Sequence, residues 1–323
     1  MPDYIQGQIQ HVDQLLSNVA LGYSPKGFIG ERILPVVRVP HEKDLYAIWT
    51  QADFFRVEDD KRSRGTEANQ IGYSVSSDSY VTQNYALRRD IAEEDLANAD
   101  PLFQKFNSEE KSVFLIKQAL LLSMELRIAN MMSSTSNVGS STAVASSWTD
   151  YTNSNPWANI TTAILNVEGA TGYRPNRMLF GGLAWEHFSR NNRVIDKVYQ
   201  TGVTNAAPNA TIEQAKALFE MDTVLVGRTF RNTAAEGVTQ SLSRIWADHV
   251  WVYYTPDGAS TELPSYGYAF RWAAPGIPDM TVTRHPADTR KHITQSLEVG
   301  YHQAEKRTSN PLCFMITNAT SST

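Results

Sequence analysis

Histidine is the residue type in this sequence that would most readily serve as a metal ligand or as an acid and base near neutral pH. Seven histidines are scattered along the 323 residues. They are His11, His41, His187, His249, His285, His292 and His302. No two of them form an HExxH pair, and none stands near carboxylates at the spacing of a local metal site. The pattern therefore predicts no metal centre and no histidine-based catalytic site.

A glycine pair and a single thiol are the other features that could support chemistry. Gly181 and Gly182 follow a predicted strand and precede a predicted helix, but the GxGxxG and GxxxxGK patterns of phosphate-binding turns are absent. We interpret the pair as a tight strand-to-helix turn. Cys313, between Leu312 and Phe314, is interpreted as a buried thiol. The sequence predicts no catalytic residue, no cofactor and no enzymatic activity.

Composition limits the class of protein further. Hydrophobic residues make up 41% of the chain and charged residues 20%, which is enough apolar material for one large domain or two modest ones. A formal net charge of -5 argues against a dedicated nucleic-acid binder. The N-terminus lacks the pattern of a secretory signal, and the most apolar run, residues 113–126, is too short to span a bilayer. We expect a chain made in the cytoplasm that does not bind membranes.

Residues 1–40 are predicted to form an extended arm. Apolar residues between Gln8 and Ala20 have the spacing of a short amphipathic helix, and glycine and proline punctuate the chain after it. Because such an arm has no core of its own, its apolar residues must pack on the body of the chain or on a neighbouring subunit.

Residues 41–89 are predicted to form a long hairpin with a charged tip. Apolar and polar residues alternate around Leu45 and Trp49, and again along a return limb at 71–89. The tip charges are Asp59, Asp60, Lys61, Arg62 and Arg64. The hairpin is either a solvated projection or an arm that lies on another subunit, where these charges would form ion pairs between subunits.

The remainder of the chain is predicted to contain a long helix, an α/β segment and terminal strands. The predicted helices are 91–99, 108–132, 157–168, 183–199 and 211–219. The predicted strands are 177–181, 223–228, 245–254, 266–272, 280–285, 292–304 and 312–317, with a polar hairpin loop between the last two. The helix at 108–132 is apolar on several faces, so we expect other elements to cover it on several sides.

This order of elements resembles the major capsid proteins of tailed bacteriophages, which have the Hong Kong 97-type fold. Three segments resemble members of this family in amino-acid sequence: SPKGFIGERILPVVRVPHEKDLYAIW, YALRRDIAEEDL and SLEVGYHQAEKRTSNPLCFMI. The resemblance implies an α+β capsid fold. It also implies four parts: an N-terminal arm at 1–40, an E-loop hairpin at 41–89, a peripheral domain with a spine helix at 90–150 and 281–323, and an axial domain at 151–280.

The resemblance further implies that the chain forms hexamers and pentamers of itself in an icosahedral shell. The expected partners are a scaffolding protein, a portal, a decoration protein and packaged double-stranded DNA bound without sequence specificity. The virion is the expected location, after assembly in the host cytoplasm. The peripheral-domain residues expected to contact other subunits are Glu305, Lys306, Arg307 and Asn310. An encapsulin-like compartment is the alternative with the same fold, and an α/β enzyme is a less favoured one.

Overall fold

The computed structural model describes residues 27–49, 55–58, 60–65, 67–72, 74–92, 94, 109–200, 209–258, 263–273, 278–286 and 293–320. Several predictions fall wholly or partly outside this part of the chain. The arm helix from Gln8 to Ala20 lies outside it, as does Asp59 of the hairpin tip. Most of the predicted helix at 91–99 also lies outside, although Ile91 and Ala92, at its start, belong to a strand.

The described residues contain six α-helices and fourteen strands. The helices are α1 Gly30–Ile33, α2 Glu109–Ser133, α3 Pro156–Thr171, α4 Gly182–Arg190, α5 Asn192–Gln200 and α6 Ile212–Phe219. The strands are β1 Val36–Val39, β2 Lys43–Trp49, β3 Val75–Val81, β4 Gln83–Ala92, β5 Ser140–Ala143, β6 Arg177–Gly181, β7 Thr223–Gly227, β8 Phe230–Asn232, β9 Leu242–Arg244, β10 Val250–Tyr253, β11 Gly267–Trp272, β12 Thr281–His285, β13 Ile293–Arg307 and β14 Cys313–Thr317.

Two five-stranded sheets form the body of the protein. In the first sheet, β13 pairs with β4 along one edge and with β12 and β11 along the other, and β1 continues the sheet beyond β11. The second sheet has the order β5-β14-β10-β6-β7. Strands β2 and β3 form a separate antiparallel hairpin, and β8 and β9 form another. The mixture of helices and mixed sheets confirms the predicted α+β class.

The long helix α2 joins the two sheets. Val113 and Leu120, in its N-terminal half, are buried with residues of β12 and β13 in the first sheet. Met124 and Ile128, further along, are buried with residues of β10 and β14 in the second sheet. The helix is apolar on several faces because different faces lie against different sheets. Among the helices that the structure describes, none is both long and apolar enough to cross a lipid bilayer.

Helices α3 to α6 cover the second sheet and form its α/β lobe. Their apolar residues share one core with the inward side chains of β6, β7, β10 and β14. Local sequence sets the helix ends. The Thr211 side chain and Gln214 form a capping box at the start of α6, and Gly172 ends α3 in a left-handed conformation with φ of 73°.

The single helix predicted at 183–199 is instead two helices separated by Asn191. This residue has an extended backbone, and its side-chain oxygen accepts a hydrogen bond of 3.0 Å from the Arg193 amide in the first turn of α5. Its side-chain nitrogen donates to the Ser154 hydroxyl at 2.8 Å. Asn191 therefore caps a new helix, which its polar side chain favours over continuing the old one.

Two pairs of successive strands also lie apart. The aromatic strands β10 and β11 follow one another along the chain, but β10 belongs to the second sheet and β11 to the first. The last strands, β13 and β14, are likewise in different sheets, so the predicted hairpin loop between them is wrong. Residues 305–307 instead continue β13 and pair with Gly267 to Ala269 of β11. The backbone of residues 305–307, which the sequence placed in a loop, therefore forms its hydrogen bonds within the sheet.

The predicted return limb of the hairpin divides at Thr82. Up to Val81 it pairs with β2, and from Gln83 it joins β13 in the first sheet. At the division, the Thr82 amide and hydroxyl both donate to the Glu42 carbonyl oxygen, at 2.9 and 3.1 Å. The projecting hairpin is therefore shorter than the sequence suggested, and the first sheet is larger.

Candidate assembly surface

An aromatic cluster fixes the root of the β2–β3 hairpin to the first sheet. The ring of Tyr80 stacks on Phe270 of β11 with centroids 4.6 Å apart. Tyr46, on the neighbouring strand β2, approaches the same ring with centroids 5.1 Å apart. Because alternate residues of a strand point to opposite faces, this contact commits one face of the hairpin to the body and leaves the other facing away.

Lys306 adds a polar clamp to the hairpin root. Its ammonium nitrogen donates to the Ser79 carbonyl oxygen at 2.7 Å and lies 3.1 Å from an Asp78 carboxylate oxygen. The Tyr46 hydroxyl donates to the same carboxylate at 3.0 Å. The Lys306 hydrogen bond, assisted by donors from Ser79 and Tyr46, lowers the pKa of Asp78. Lys306, predicted as an intersubunit contact, here holds the hairpin of its own chain.

The Glu305 side chain is bound to another element of the same chain. Its side chain is only 7% exposed and forms an ion pair of 2.9 Å with Arg127 of the long helix. Burial alone would lower the pKa of Arg127, but the hydrogen bonds and charge of Glu305 and Tyr301 outweigh it, and the pKa is raised. The remaining pair of the predicted contact set lies at the surface, where Arg307 bonds to the Asn310 side chain. Asn310 in turn donates to the Ser136 carbonyl oxygen at 2.9 Å.

The face of the hairpin that points away from the body exposes three large apolar side chains among the polar residues Lys43, Ser77 and Ser79. Leu45 is 66% exposed, Val75 is 48% exposed and Val81 is 47% exposed. The strand register puts these three side chains on one face, because Leu45 pairs with Ser79 and positions 75, 79 and 81 alternate in phase. We call Leu45, Val75 and Val81 the outer hairpin face.

Charged tip residues lie beyond this face. Asp60, Lys61, Arg62 and Arg64 are all exposed, and Asp59 falls outside the described residues. Before the tip, Phe55 packs edge-on against Tyr173 of the α/β lobe, with ring centroids 5.5 Å apart. The hairpin therefore touches its own chain at the root and at Phe55. The intersubunit role of the tip stays a prediction.

Glu125, a residue that the sequence reasoning missed, organises the junction between the long helix and the second sheet. It is fully buried, and one of its carboxylate oxygens accepts a hydrogen bond of 2.9 Å from the Ile29 amide. The other accepts from the Trp246 indole at 2.6 Å and from the Thr229 hydroxyl. A lone glutamate inside an apolar helix was the available signal, since buried carboxylates need such partners.

The residues singled out for chemistry do not converge. In the ranges described here, no group of three or more His, Cys, Asp or Glu side chains is placed to hold a metal ion. The His285 ring lies 2.8 Å from a Glu298 carboxylate oxygen. Cys313 is fully buried, and burial raises the pKa of its thiol, which disfavours the reactive thiolate. Gly181 and Gly182 form the tight turn from β6 into α4.

Removing the Lys306 ammonium should loosen the hairpin root. We expect Lys306→Met, which keeps the stem, to cost about 1 kcal/mol or less, because the pair is partly solvated. Amide exchange along β2 and β3 should then be faster, by up to about fivefold. The Asp78 pKa is depressed in the folded state, so the clamp acts fully above its ordinary value of 3.8 and is lost as pH falls through the folded pKa. Hydrogen exchange at several pH values would measure this. Equal protection of both proteins at neutral pH would contradict the role of Lys306.

Two phage proteins are similar to this chain in sequence. The chain is 25% identical over 277 residues to the major capsid protein of Burkholderia phage BcepMu, covering 82% of this chain and 84% of the relative. It is 24% identical over 267 residues to the major capsid protein of Pseudomonas phage JBD67, covering 81% and 83%. No family model matches the chain.

Solved structures agree on the fold. A phage-related protein from Bordetella bronchiseptica RB50 superposes with a TM-score of 0.72 at 23% identity, covering 97% of this chain and 99% of that one. The capsid of cyanophage P-SCSP1u superposes with a TM-score of 0.56 at 10% identity, covering 88% and 85%. The fold is therefore that of the Hong Kong 97-type capsid proteins. In sequence the chain is similar to phage major capsid proteins, and it shares their fold, as the resemblance in its sequence indicated.

Proposed function

We propose that this protein assembles with copies of itself, through hexamers and pentamers, into the icosahedral head shell that encloses the double-stranded DNA of a tailed bacteriophage. The observation that carries the proposal is the outer hairpin face, where Leu45, Val75 and Val81 stand exposed on a projecting ribbon. An apolar face of this kind on a projecting element is typical of a protein interaction surface.

The hairpin would contact a neighbouring subunit in a fixed orientation. Its root is held by the aromatic cluster at Phe270 and by Lys306, so the outer face has a defined direction relative to the first sheet. A neighbouring subunit that covers Leu45 and Val81 would remove their apolar surface from water, which favours association by about 25 cal/mol per Å². The same contact repeated around a closed ring would add up over all subunits.

We propose polar contacts at the edges of this interface. The tip residues Asp60, Lys61, Arg62 and Arg64, with Asp59, would pair with charges of a neighbour and set its orientation. Of the four peripheral-domain residues predicted to contact other subunits, Arg307 and Asn310 lie at the surface and would make that contact. Glu305 and Lys306 would support that contact from inside the protomer, since both are engaged with other elements of the chain.

The proposed domains follow the two sheets. We propose that the first sheet with the N-terminal half of α2 forms the peripheral domain, and that the second sheet with α3 to α6 forms the axial domain at the centre of each capsomer. Residues 1–40 would form the N-terminal arm and residues 41–89 the E-loop. The chain crosses between the sheets several times, which ties the two domains together.

We propose a structural rather than enzymatic role, with assembly in the host cytoplasm. The shell would meet a scaffolding protein, a portal and a decoration protein. The net charge of -5 suits a container, because a strongly basic lining would bind packaged DNA tightly and slow its release. No sequence-specific contact with DNA is proposed.

Placing a charge on the outer hairpin face should block assembly. We expect Leu45→Glu to leave the chain folded, since Leu45 is 66% exposed, and to reduce the yield of closed shells at least tenfold. The reason is that a carboxylate buried without a partner in a subunit contact costs several kcal/mol. Negative-stain electron microscopy and sedimentation of the purified protein would count the shells.

Leu45→Val is the matched control, because it keeps an apolar residue at the same position and valine suits a strand, and it should assemble normally. Arg62→Glu combined with Arg64→Glu, tested in the same assay, should impair shell formation while the chain stays folded. Normal shells from Leu45→Glu would remove the role proposed for the hairpin. Empty cages in infected cells without a portal or tail would favour the encapsulin-like alternative.

A further inference from the structure

The long helix α2 carries an apolar stripe that its own chain covers only in part, since two of its residues pack at the edge of the cluster that α2 shares with the second sheet. Leu115, Ala119, Leu122 and Leu126 follow one another at steps of four, three and four residues, and we call them the helix seam. Leu115 is 48% exposed, Ala119 is exposed, and Leu122 and Leu126 are half-buried. A spacing of alternating three and four residues is the pattern with which one helix packs along another.

The exposed surroundings of the seam are uncharged between residues 112 and 126, and Lys111 lies exposed at its N-terminal end, one turn before Leu115. The exposed residues beside it are Gln118, Ser123 and Asn130, and the one lysine between positions 112 and 126, Lys117, is buried on another side of the helix. A helix face directed at water normally carries charged residues, and α2 lacks them along this stretch. The face is therefore suited to contact with another apolar element rather than to solvent.

The N-terminal arm contains a sequence that matches the seam. Ile9, Val12, Leu16 and Val19 follow at steps of three, four and three residues, and the positions around them are mostly polar. As a helix this segment would present one apolar stripe about 15 Å long, and the helix seam from Leu115 to Leu126 is about 16 Å long at ~1.5 Å per residue. The two stripes agree in length and in period.

The structure also anchors the arm at the helix seam. The Ile29 amide is bonded to Glu125, the residue next to Leu126. Phe28 packs on the same apolar cluster as Leu122 and Leu126. From Gly27 back to Ala20 the chain can span at most about 25 Å, at ~3.5 Å per residue. The segment that ends at Ala20 is therefore held within reach of the seam, at a high effective concentration.

We propose that arm residues 8–20 dock as a helix on the helix seam of α2 in the same chain. The interaction would bury the apolar faces of two elements that cannot be buried separately, and it would place the arm before any neighbour joins. A second copy of the chain and a scaffolding protein are the other occupants that the seam could accept, and the experiment below distinguishes them from the arm.

Engineered disulfides in the full chain test the contact. We expect Leu16→Cys, combined in turn with Ala119→Cys and with Leu122→Cys, to form a disulfide under mild oxidation in at least one of the two double variants. The product should migrate as a monomer on a non-reducing gel and should form at a rate independent of protein concentration. Native Cys313 is 1% exposed and should not compete.

Gln14→Cys with the same two partners is the matched control, because position 14 lies on the opposite side of the predicted arm helix, and it should oxidise at least tenfold more slowly. Disulfide-linked dimers in place of monomers would show that a second copy occupies the seam. Equal rates for positions 14 and 16, or no disulfide in either Leu16→Cys double variant, would also overturn the proposal, and would leave the seam to a different partner.

Discussion

Replacing Glu125 with alanine is expected to lower the free energy of unfolding by about 3–5 kcal/mol, because the buried groups that donate hydrogen bonds to its carboxylate would lose this acceptor. The Ile29 amide and the Trp246 indole would both lose their acceptor inside the protein, and the Thr229 hydroxyl would be left with its longer contact of 3.3 Å to the Gly27 carbonyl oxygen. Each buried donor left without an acceptor costs about 1–3 kcal/mol. The smaller side chain would also leave a cavity between the long helix and the second sheet.

Glu125→Gln separates the anchoring of the arm from the anchoring of the sheet. One oxygen of Glu125 accepts hydrogen bonds from Trp246 and Thr229, while the other accepts from Ile29. Glutamine retains a single oxygen, and its amide group donates rather than accepts. If that oxygen stays with Trp246 and Thr229, the amide meets the Ile29 N–H donor to donor. We therefore expect Glu125→Gln to lose less stability than Glu125→Ala. Its faster amide exchange should be concentrated at residues 27–33.

Chemical unfolding followed by tryptophan fluorescence would measure both variants, because Trp246 and Trp251 lie in the affected core. Glu110→Ala is the matched control, since Glu110 is an exposed glutamate in the first turn of the same helix. Its removal should cost less than about 1 kcal/mol. A loss in Glu125→Ala no larger than that in Glu110→Ala would show that the three hydrogen bonds do not stabilise the junction.

Elements with strong local periodicity could be predicted from the sequence. The long helix, predicted at 108–132, spans Glu109–Ser133, and the strand predicted at 177–181 has the same bounds in the structure. The turn at Gly181 and the buried state of Cys313 were also predicted, because a glycine pair and an apolar neighbourhood act locally. The order of elements was enough to indicate the capsid fold.

Features that depend on contacts distant in sequence could not be predicted. The polar run from Glu305 to Arg307 looked like a loop, because nothing near it in sequence shows that Arg127 pairs with Glu305 or that Asp78 meets Lys306. The separation of β10 from β11 into two sheets is a choice of partners that strand periodicity does not encode. Glu125 was overlooked for the same reason, since its three donors come from elsewhere in the chain.

Gly181→Ala is expected to cost at least about 3 kcal/mol or to prevent folding, more than typical overpacking, because the added methyl has no room. A Cβ at this position would lie 1.7 Å from the Ala247 carbonyl oxygen, and that oxygen belongs to backbone that cannot turn aside. The φ of -63° is ordinary for any residue, so the cost comes from packing and not from backbone conformation. The Gly181 amide also donates to the His249 carbonyl oxygen at 2.9 Å, and the strand cannot shift without stretching this bond.

Gly169→Ala provides the contrasting control in the same lobe. Gly169 lies within helix α3, and a Cβ there would meet nothing within 4 Å. Alanine should therefore stabilise the lobe by about 0.5–1 kcal/mol through its higher helix propensity. Soluble yield and thermal unfolding of the two variants should move in opposite directions. If Gly181→Ala folded with the stability of the parent, the close approach of β6 to residue 247 would be wrong. The second sheet would then have to adopt a different connection into α4.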